Sequence, residues 1–176
     1  MLMLLLCDEE IVLISLFSSL FHEGGHLLFM LLFGEVPTHI CFGAFGIRIE
    51  RGSTGNLSQK KEAMVALGGI AGNCLLFVCG FVFYLVYNSS CAAKLLAVNL
   101  LIAAFNMLPV RLLDFGRCLE CLFSEKERGD KALSMLSFAT AFAIGLGCIL
   151  YSIFVSINVS LIAVSIYIIL ITTLKE

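Results

Sequence analysis

The residues best suited to chemistry lie in one run, His-Glu-Gly-Gly-His at positions 22–26. On a helix, residues four apart share a face, so His22 and His26 can bind one metal ion. Glu23 lies beside them and can act as a general base toward water at that metal. Because zinc accepts both imidazole and carboxylate ligands, the pattern predicts a single zinc ion and a hydrolytic reaction.

The two histidines leave a catalytic zinc site one protein ligand short, because such sites hold three protein ligands and a water molecule. The sequence offers four candidates for the third ligand: Glu35, His39, Glu50 and Asp114. Asp114 follows Pro109, which ends a helix and frees backbone groups, and such breaks bring polar groups to sites within membranes. We expect His39 to be a polar residue of a hairpin instead.

The composition indicates that these residues lie in a membrane protein. Of 176 residues, 60% are hydrophobic and 14% are charged, whereas soluble domains are about half apolar and about a quarter charged. A helix of about 20 apolar residues spans a bilayer. Five stretches fit this length approximately: Ile11–Phe33, Ala63–Tyr87, Ala92–Leu108, Ala132–Tyr151 and Phe154–Leu174. Apart from Lys94 near an end, Glu23 is their one charged residue, and an ionisable residue inside a span indicates a functional site.

The expected fold is an all-α polytopic membrane protein with about five transmembrane helices. The segment Thr38–Arg51 differs, because Gly43 and Gly46 precede a strict alternation of apolar and charged residues at 47–50. This pattern predicts a small β-hairpin or a re-entrant loop after the first span. We interpret residues 1–176 as a single membrane-embedded domain, with a catalytic core of about 11–123 and accessory helices at about 132–174.

Basic residues predict the orientation of the spans. With five spans, two loops and the C-terminal tail share one side, and they carry ten basic residues: Arg48, Arg51, Lys60, Lys61, Arg111, Arg117, Lys126, Arg128, Lys131 and Lys175. The opposite side carries Lys94 alone. The pattern therefore predicts a multi-pass protein of the cell membrane with its N-terminus outside, its C-terminus in the cytoplasm and its active site opening to the cytoplasm.

Three motifs, in their order and spacing over about residues 11–120, resemble the site-2 proteases. They are H-E-x-x-H at 22–26, G-x-x-x-N at Gly69–Asn73, and N-x-x-P-x-x-x-L-D-x-G at Asn106–Gly116. The short layout is most similar to the sporulation branch of that family, whose type member processes a precursor sigma factor. The family usually has Asp-Gly-Gly, whereas Phe115 follows Asp114 here.

The resemblance implies an intramembrane zinc metalloprotease with His22, His26 and Asp114 as zinc ligands and Glu23 as catalytic base. The expected partners are the lipid bilayer, a membrane-associated protein substrate such as a precursor sigma factor or another regulatory protein, and a regulatory membrane partner; no nucleic acid is expected. Two rival functions stay open. One is a catalytically inactive relative that binds a membrane partner, and the other is a zinc or proton transporter, although a transporter would more naturally repeat its polar site in both halves of the chain.

Four further residues are candidates for contact with the substrate or the transition state. Asn106 or Asn73 could donate a hydrogen bond to the substrate backbone or to a developing oxyanion, although Asn73 is equally suited to a bond between helices. Ile47 and Ile49 belong to the alternating segment, where an exposed strand edge could hold the substrate in an extended conformation.

Overall fold

The computed structural model describes residues 9–35, 37–43, 46–51, 58–123 and 127–154. The elements in chain order are helix α1 (Glu9–Leu32), strands β1 (Pro37–Gly43) and β2 (Gly46–Arg51), and helices α2 (Gln59–Tyr87), α3 (Ser90–Asn106), α4 (Asp114–Phe123) and α5 (Glu127–Phe154). The chain divides into two compact units, residues 1–107 and residues 108–176. The boundary between the units lies inside the predicted catalytic core.

In the first unit, α1, α2 and α3 pack on one another. The starts of α1 and α3 lie at one end of the group, where Lys94 Nζ donates a hydrogen bond to Glu10 Oε2 at 2.7 Å. At the other end, Lys61 Nζ near the start of α2 lies 5.5 Å from the centroid of the Phe33 ring, just beyond α1. Helix α2 therefore runs antiparallel to both α1 and α3.

The ends of α1 and α2 are set by residues that tolerate a left-handed backbone. After α1, Gly34 has φ of 80°, and the N–H groups of Gly34 and Glu35 donate to the carbonyls of Leu31 and Met30, both at 3.0 Å. This pair of hydrogen bonds is the Schellman motif, which favours glycine at the position of Gly34. After α2, Asn88 has φ of 47°, which asparagine tolerates better than most residues, and this residue turns the chain into α3.

Glycines let the backbones of α1 and α2 approach closely. A Cβ on Gly68 would lie 2.7 Å from the carbonyl oxygen of Gly25, and a Cβ on Gly25 would overlap the carbonyl of Gly68. Small residues at helix crossings are typical of helix pairs in membranes, where close packing and hydrogen bonds drive association. This crossing lies within the His-Glu-Gly-Gly-His run and so brings α2 against the histidines.

The segment predicted to form a β-hairpin or a re-entrant loop, Thr38–Arg51, overlaps both strands, and β1 begins one residue earlier, at Pro37. They pair antiparallel, with Ile40 opposite Ile49 and Phe42 opposite Ile47, and β2 packs against α1. Residues 44–45, which join the strands, lie outside the described residues, as do the side chains of both strands.

In the second unit, α4 packs against α5. Pro109 follows the end of α3, as predicted, because proline has no N–H to continue the helix. After Pro109 the chain makes a short turn and then forms the separate helix α4. The turn is closed by hydrogen bonds from Leu113 N to Val110 O and from Arg117 N to Leu113 O, at 2.8 and 2.9 Å.

Within the described residues, α1 and α2 are long and apolar enough to cross a membrane. In the most apolar stretch of each helix, 11% of the residues are buried in α1 and 28% in α2. A core helix of a soluble protein is mostly buried. Helix α3 is apolar but shorter, with 17 residues. The fourth predicted span, 132–151, lies within α5, and the fifth, 154–174, lies outside the described residues apart from Phe154.

Candidate metal centre

The first half of the site is a pair of imidazoles on α1. His22 is buried, with 7% of its surface exposed, and His26 is half-buried one helical turn later. Their ring centroids are 4.9 Å apart and the rings meet edge to face. The spacing of four residues therefore places both imidazoles on one face of the helix, as predicted.

Each imidazole is oriented by a hydrogen bond from its Nδ1 to α2. His26 Nδ1 donates to the carbonyl oxygen of Val65 at 2.8 Å, and His22 Nδ1 donates to Oδ1 of Asn73 at 2.7 Å. A histidine that binds a metal almost always donates its other ring N–H to a carbonyl or a carboxylate, which fixes the tautomer and the ring orientation. With the proton on Nδ1, the Nε2 lone pair of each ring is the one that can bind a metal.

Gly69 on α2 shows where the two Nε2 atoms point. A Cβ at this position would lie 2.5 Å from His26 Nε2 and 2.6 Å from His22 Nε2. Both nitrogens therefore converge on the backbone of one residue that has no side chain. Convergent nitrogens beside a glycine provide the space that a metal ion needs, and two imidazoles suit zinc.

The third predicted ligand, Asp114, is the first residue of α4 and has 6% of its surface exposed. The turn before it is held by Ser137 of α5, which is itself 1% exposed. Ser137 Oγ donates to the carbonyl of Pro109 at 3.1 Å and accepts from the N–H of Arg111 at 3.0 Å. The Arg111 side chain also donates to the backbone carbonyl of Asp130 at 3.0 Å and pairs with its carboxylate. This unit therefore fixes the backbone that leads into Asp114.

The departure from Asp-Gly-Gly falls at the position that tolerates a side chain. Phe115 is half-buried, whereas a Cβ on Gly116 would overlap the backbone carbonyl of Val110. The first turn of α4 passes directly under Val110, so this contact requires the glycine at 116. The local geometry therefore explains the glycine of Asp-x-Gly without a requirement for glycine at 115.

His22 and His26 in the first unit and Asp114 in the second are residues that could hold a metal ion. Two imidazoles and a carboxylate are donors of the kind that zinc sites use, and a buried charge such as that of Asp114 is costly unless it is paired or binds a metal. The chemistry of this donor set fits zinc.

The remaining candidates have various placements. Glu23 is half-buried on α1 next to His22, and Glu35 is half-buried after α1; neither belongs to the metal group found among the described residues. Asn106 Nδ2 donates to the carbonyl of Ile102 within α3 at 3.0 Å. The side chains of His39, Ile47, Ile49 and Glu50 lie outside the described residues.

Asn73 makes the second of its two predicted kinds of contact, a bond between helices. Its side chain is fully buried, and both ends of the amide are engaged: Oδ1 with His22, and Nδ2 with Asn99 Oδ1 at 3.1 Å. Sequence analysis did not find Val65 or Asn99. A backbone carbonyl has no signature in a sequence, and Asn99 lies in an apolar helix far from any recognised motif.

No protein-family model matches the sequence, and no curated protein matches it. The site is therefore interpreted from its own donors, anchors and surroundings. In the first unit these are two Nε2 atoms fixed by Nδ1 bonds and a glycine that leaves space beside them, and in the second unit a buried carboxylate.

Proposed function

We propose that the chain is an intramembrane zinc metalloprotease of the site-2 type, which hydrolyses a peptide bond of a membrane-associated protein. The observation that carries the proposal is the convergence of two Nδ1-anchored imidazoles on Gly69. Asp114 is the proposed third donor. Three protein ligands of this kind are typical of catalytic zinc, which keeps a further position for water or substrate. The closed set of four ligands in structural zinc sites is a different arrangement.

Zinc in this site would polarise the scissile carbonyl and make water a stronger nucleophile near neutral pH. Glu23 follows His22 directly and is half-buried. Its proposed role is to accept the proton of the attacking water and to transfer it to the leaving amine. Asn106 is proposed to donate a hydrogen bond to the substrate backbone or to the developing oxyanion.

The proposed setting is a bilayer crossed by about five helices. Support comes from the length and apolar character of α1 and α2, and from their large exposed side chains, such as Leu13, Leu85 and Val86. His22 is ten residues from the end of α1, about 15 Å along a helix, so the metal would lie well inside the hydrocarbon layer. In the proposed orientation the Glu10–Lys94 end is outside and the Lys60–Lys61 end is cytoplasmic, with the site open to the cytoplasm.

A helical substrate hides its peptide bonds, so it must become extended before hydrolysis. We propose that an extended substrate segment pairs with the outer edge of β2, the strand that contains Ile47 and Ile49. Proline at either position would remove one backbone donor and should reduce cleavage without changing zinc content. Unchanged cleavage by Ile47→Pro and Ile49→Pro together would refute this role.

The substrate class that the resemblance implies is a precursor sigma factor or another regulatory protein that is released by intramembrane proteolysis, as in sporulation. The proposed protease differs from both rival functions in what Glu23 does. A zinc or proton transporter or an inactive binding relative would produce no new N-termini in membrane proteins. Only a protease makes such termini depend on Glu23.

The test is to compare cells that produce the wild-type chain with cells that produce Glu23→Gln, using mass spectrometry of protein N-termini in the membrane and soluble fractions. We expect new N-termini within or next to transmembrane segments in the wild-type sample and their loss in Glu23→Gln. Zinc content is measured on both purified proteins, and we expect it to be equal. Identical N-termini in the two samples would contradict the proposal.

A further inference from the structure

Three fully buried polar side chains connect His22 of α1 through α2 and α3 back to α1. Asn73 of α2, Asn99 of α3 and Ser18 of α1 each have 0% of their surface exposed. His22 Nδ1 is bonded to Asn73 Oδ1 at 2.7 Å, and Asn73 Nδ2 donates to Asn99 Oδ1 at 3.1 Å. Asn99 Nδ2 donates to Ser18 Oγ at 3.0 Å. One row of hydrogen bonds therefore crosses all three helices and ends on the candidate ligand.

The direction of these bonds is fixed at one place, the carbonyl oxygen of Leu95. This oxygen can only accept, and Asn99 Nδ2 donates to it at 2.9 Å. Asn99 must therefore direct its Oδ1 toward Asn73, and Asn73 must donate to that oxygen through its Nδ2. Asn73 then directs its own Oδ1 toward His22, so the proton of His22 must be on Nδ1.

The two histidines differ in how securely this proton is placed. His26 donates to the backbone carbonyl of Val65, which cannot become a donor. His22 faces a side-chain amide, and a rotation of the Asn73 amide by half a turn would present a donor to Nδ1 in place of an acceptor. The neutral ring would then carry its proton on Nε2, and that nitrogen could no longer bind a metal. Something beyond Asn73 must hold the amide.

We propose that Asn99 is a positioning residue for the metal centre: it holds the Asn73 amide in the orientation that keeps His22 protonated on Nδ1, with Nε2 available as a ligand. Asn99 does this through Asn73, without touching either histidine in the bonds described. The inference rests on the proposed metal site but not on proteolysis. Partners that orient a ligand in this way typically change metal affinity by about 10- to 100-fold.

The first measurement is made on the wild-type protein, whose three histidines give few signals to assign. The metal-free protein is labelled with 15N-histidine, and NMR distinguishes rings protonated on Nδ1 from rings protonated on Nε2. His22 is assigned by loss of its signals in His22→Gln. We expect His22 to be protonated on Nδ1 in the wild-type protein. Protonation on Nε2 would overturn the inference.

The second measurement compares zinc affinity, by chelator competition, among Asn99→Leu, Asn73→Asp and the double variant. We expect Asn99→Leu to weaken zinc binding about 10-fold and to mix the two tautomers of His22. A carboxylate at position 73 only accepts, so it should fix the His22 proton without help from Asn99. The double variant should therefore bind zinc more tightly than Asn99→Leu alone. A purely structural role for Asn99 predicts no such rescue, because a buried carboxylate adds a further cost.

Ser15→Ala is the matched control. Ser15 lies one turn before Ser18 on α1, but its Oγ donates to Ile11 O within the helix and takes no part in the row. We expect wild-type zinc affinity and an unchanged His22 tautomer in this variant. Unaltered zinc affinity and tautomer in Asn99→Leu would overturn the inference. Because neither readout uses a substrate, a protein that binds zinc as expected but cleaves nothing would refute the proposed protease and leave the role of Asn99 standing.

Discussion

At the scale of single residues, the sequence predicts the candidate metal ligands but not the residues that hold them in place by hydrogen bonds. The spacing of His22 and His26 predicts their shared face, and the structure confirms it. Val65 and Asn99 are separated from the histidines by 39 and 77 positions, so no local pattern connects them. Their contribution depends on how α2 and α3 pack against α1. Tertiary contacts of this kind become visible only once the helices are placed.

Gly69 gives a prediction at this scale. In Gly69→Ala, the added Cβ would occupy the place that both Nε2 atoms face, so the imidazoles must move apart. We expect zinc affinity to fall by at least about 10-fold, the size typical of a disturbed ligand shell, as measured by chelator competition.

Gly80→Ala on the same helix is the control for this prediction. The nearest atoms to a Cβ at that position belong to the flexible side chain of Leu95, at 3.3 Å, and they can shift. Zinc affinity should therefore match the wild type. Equal zinc binding by Gly69→Ala and the wild-type protein would show that the nitrogens do not converge at Gly69.

At the scale of elements, the sequence predicts where helices break better than how they pack. The break after α3 follows from Pro109, and the spans predicted for α1 and α2 agree with helices of similar bounds. Helix α4 was not predicted, because its ten residues are too few to give a clear period within an apolar stretch. The close approach of α1 and α2 also could not be predicted. A glycine within a helix does not show in the sequence whether another backbone packs against it.

The two glycines of the His-Glu-Gly-Gly-His run provide a test of this packing. A Cβ on Gly25 would overlap the carbonyl of Gly68, whereas a Cβ on Gly24 meets nothing within 4 Å. We expect Gly25→Ala to lower the free energy of unfolding by about 1–3 kcal/mol, the usual cost of overpacking. Thermal unfolding in detergent, followed by circular dichroism, measures this change.

Gly24→Ala is the matched control, because it places the same methyl group on the neighbouring residue of the same motif. Alanine is the better helix former, so stability should be unchanged or slightly higher. If the two variants unfold at the same temperature, α1 and α2 do not cross at Gly25 and Gly68.

At the scale of the whole molecule, composition predicts a bilayer environment more firmly than it predicts a number of spans. Two helices pass the length and apolarity required of a span, and their large side chains remain exposed within the described part of the chain. The remaining spans stay a prediction. A sequence gives the sum of apolar residues directly, but a shorter helix such as α3 can either cross a bilayer or pack beside helices that do.

The proposed orientation predicts which loops reach the outside of the cell. Alkaline phosphatase, which is active only outside the cytoplasm, is fused after Glu62 or after Asn88. We expect activity after Asn88 and none after Glu62, because the basic residues near Lys60 and Lys61 stay in the cytoplasm. β-Galactosidase at the same positions is the control and should show the reverse pattern. Phosphatase activity after Glu62 and not after Asn88 would show the opposite orientation, with the site open to the outside of the cell, and would contradict the proposal.

We propose that His22, His26 and Asp114 hold a single zinc ion while Glu23 acts on water beside it. The most direct measurement is zinc content per chain, by mass spectrometry of the elements, in purified wild-type, Glu23→Gln, His26→Ala and Asp114→Ala proteins. We predict one zinc per chain in the wild type and in Glu23→Gln, and loss of zinc in both ligand variants. Full zinc content in Asp114→Ala and His26→Ala, or a wild-type protein that cleaves its substrate without zinc, would contradict the account.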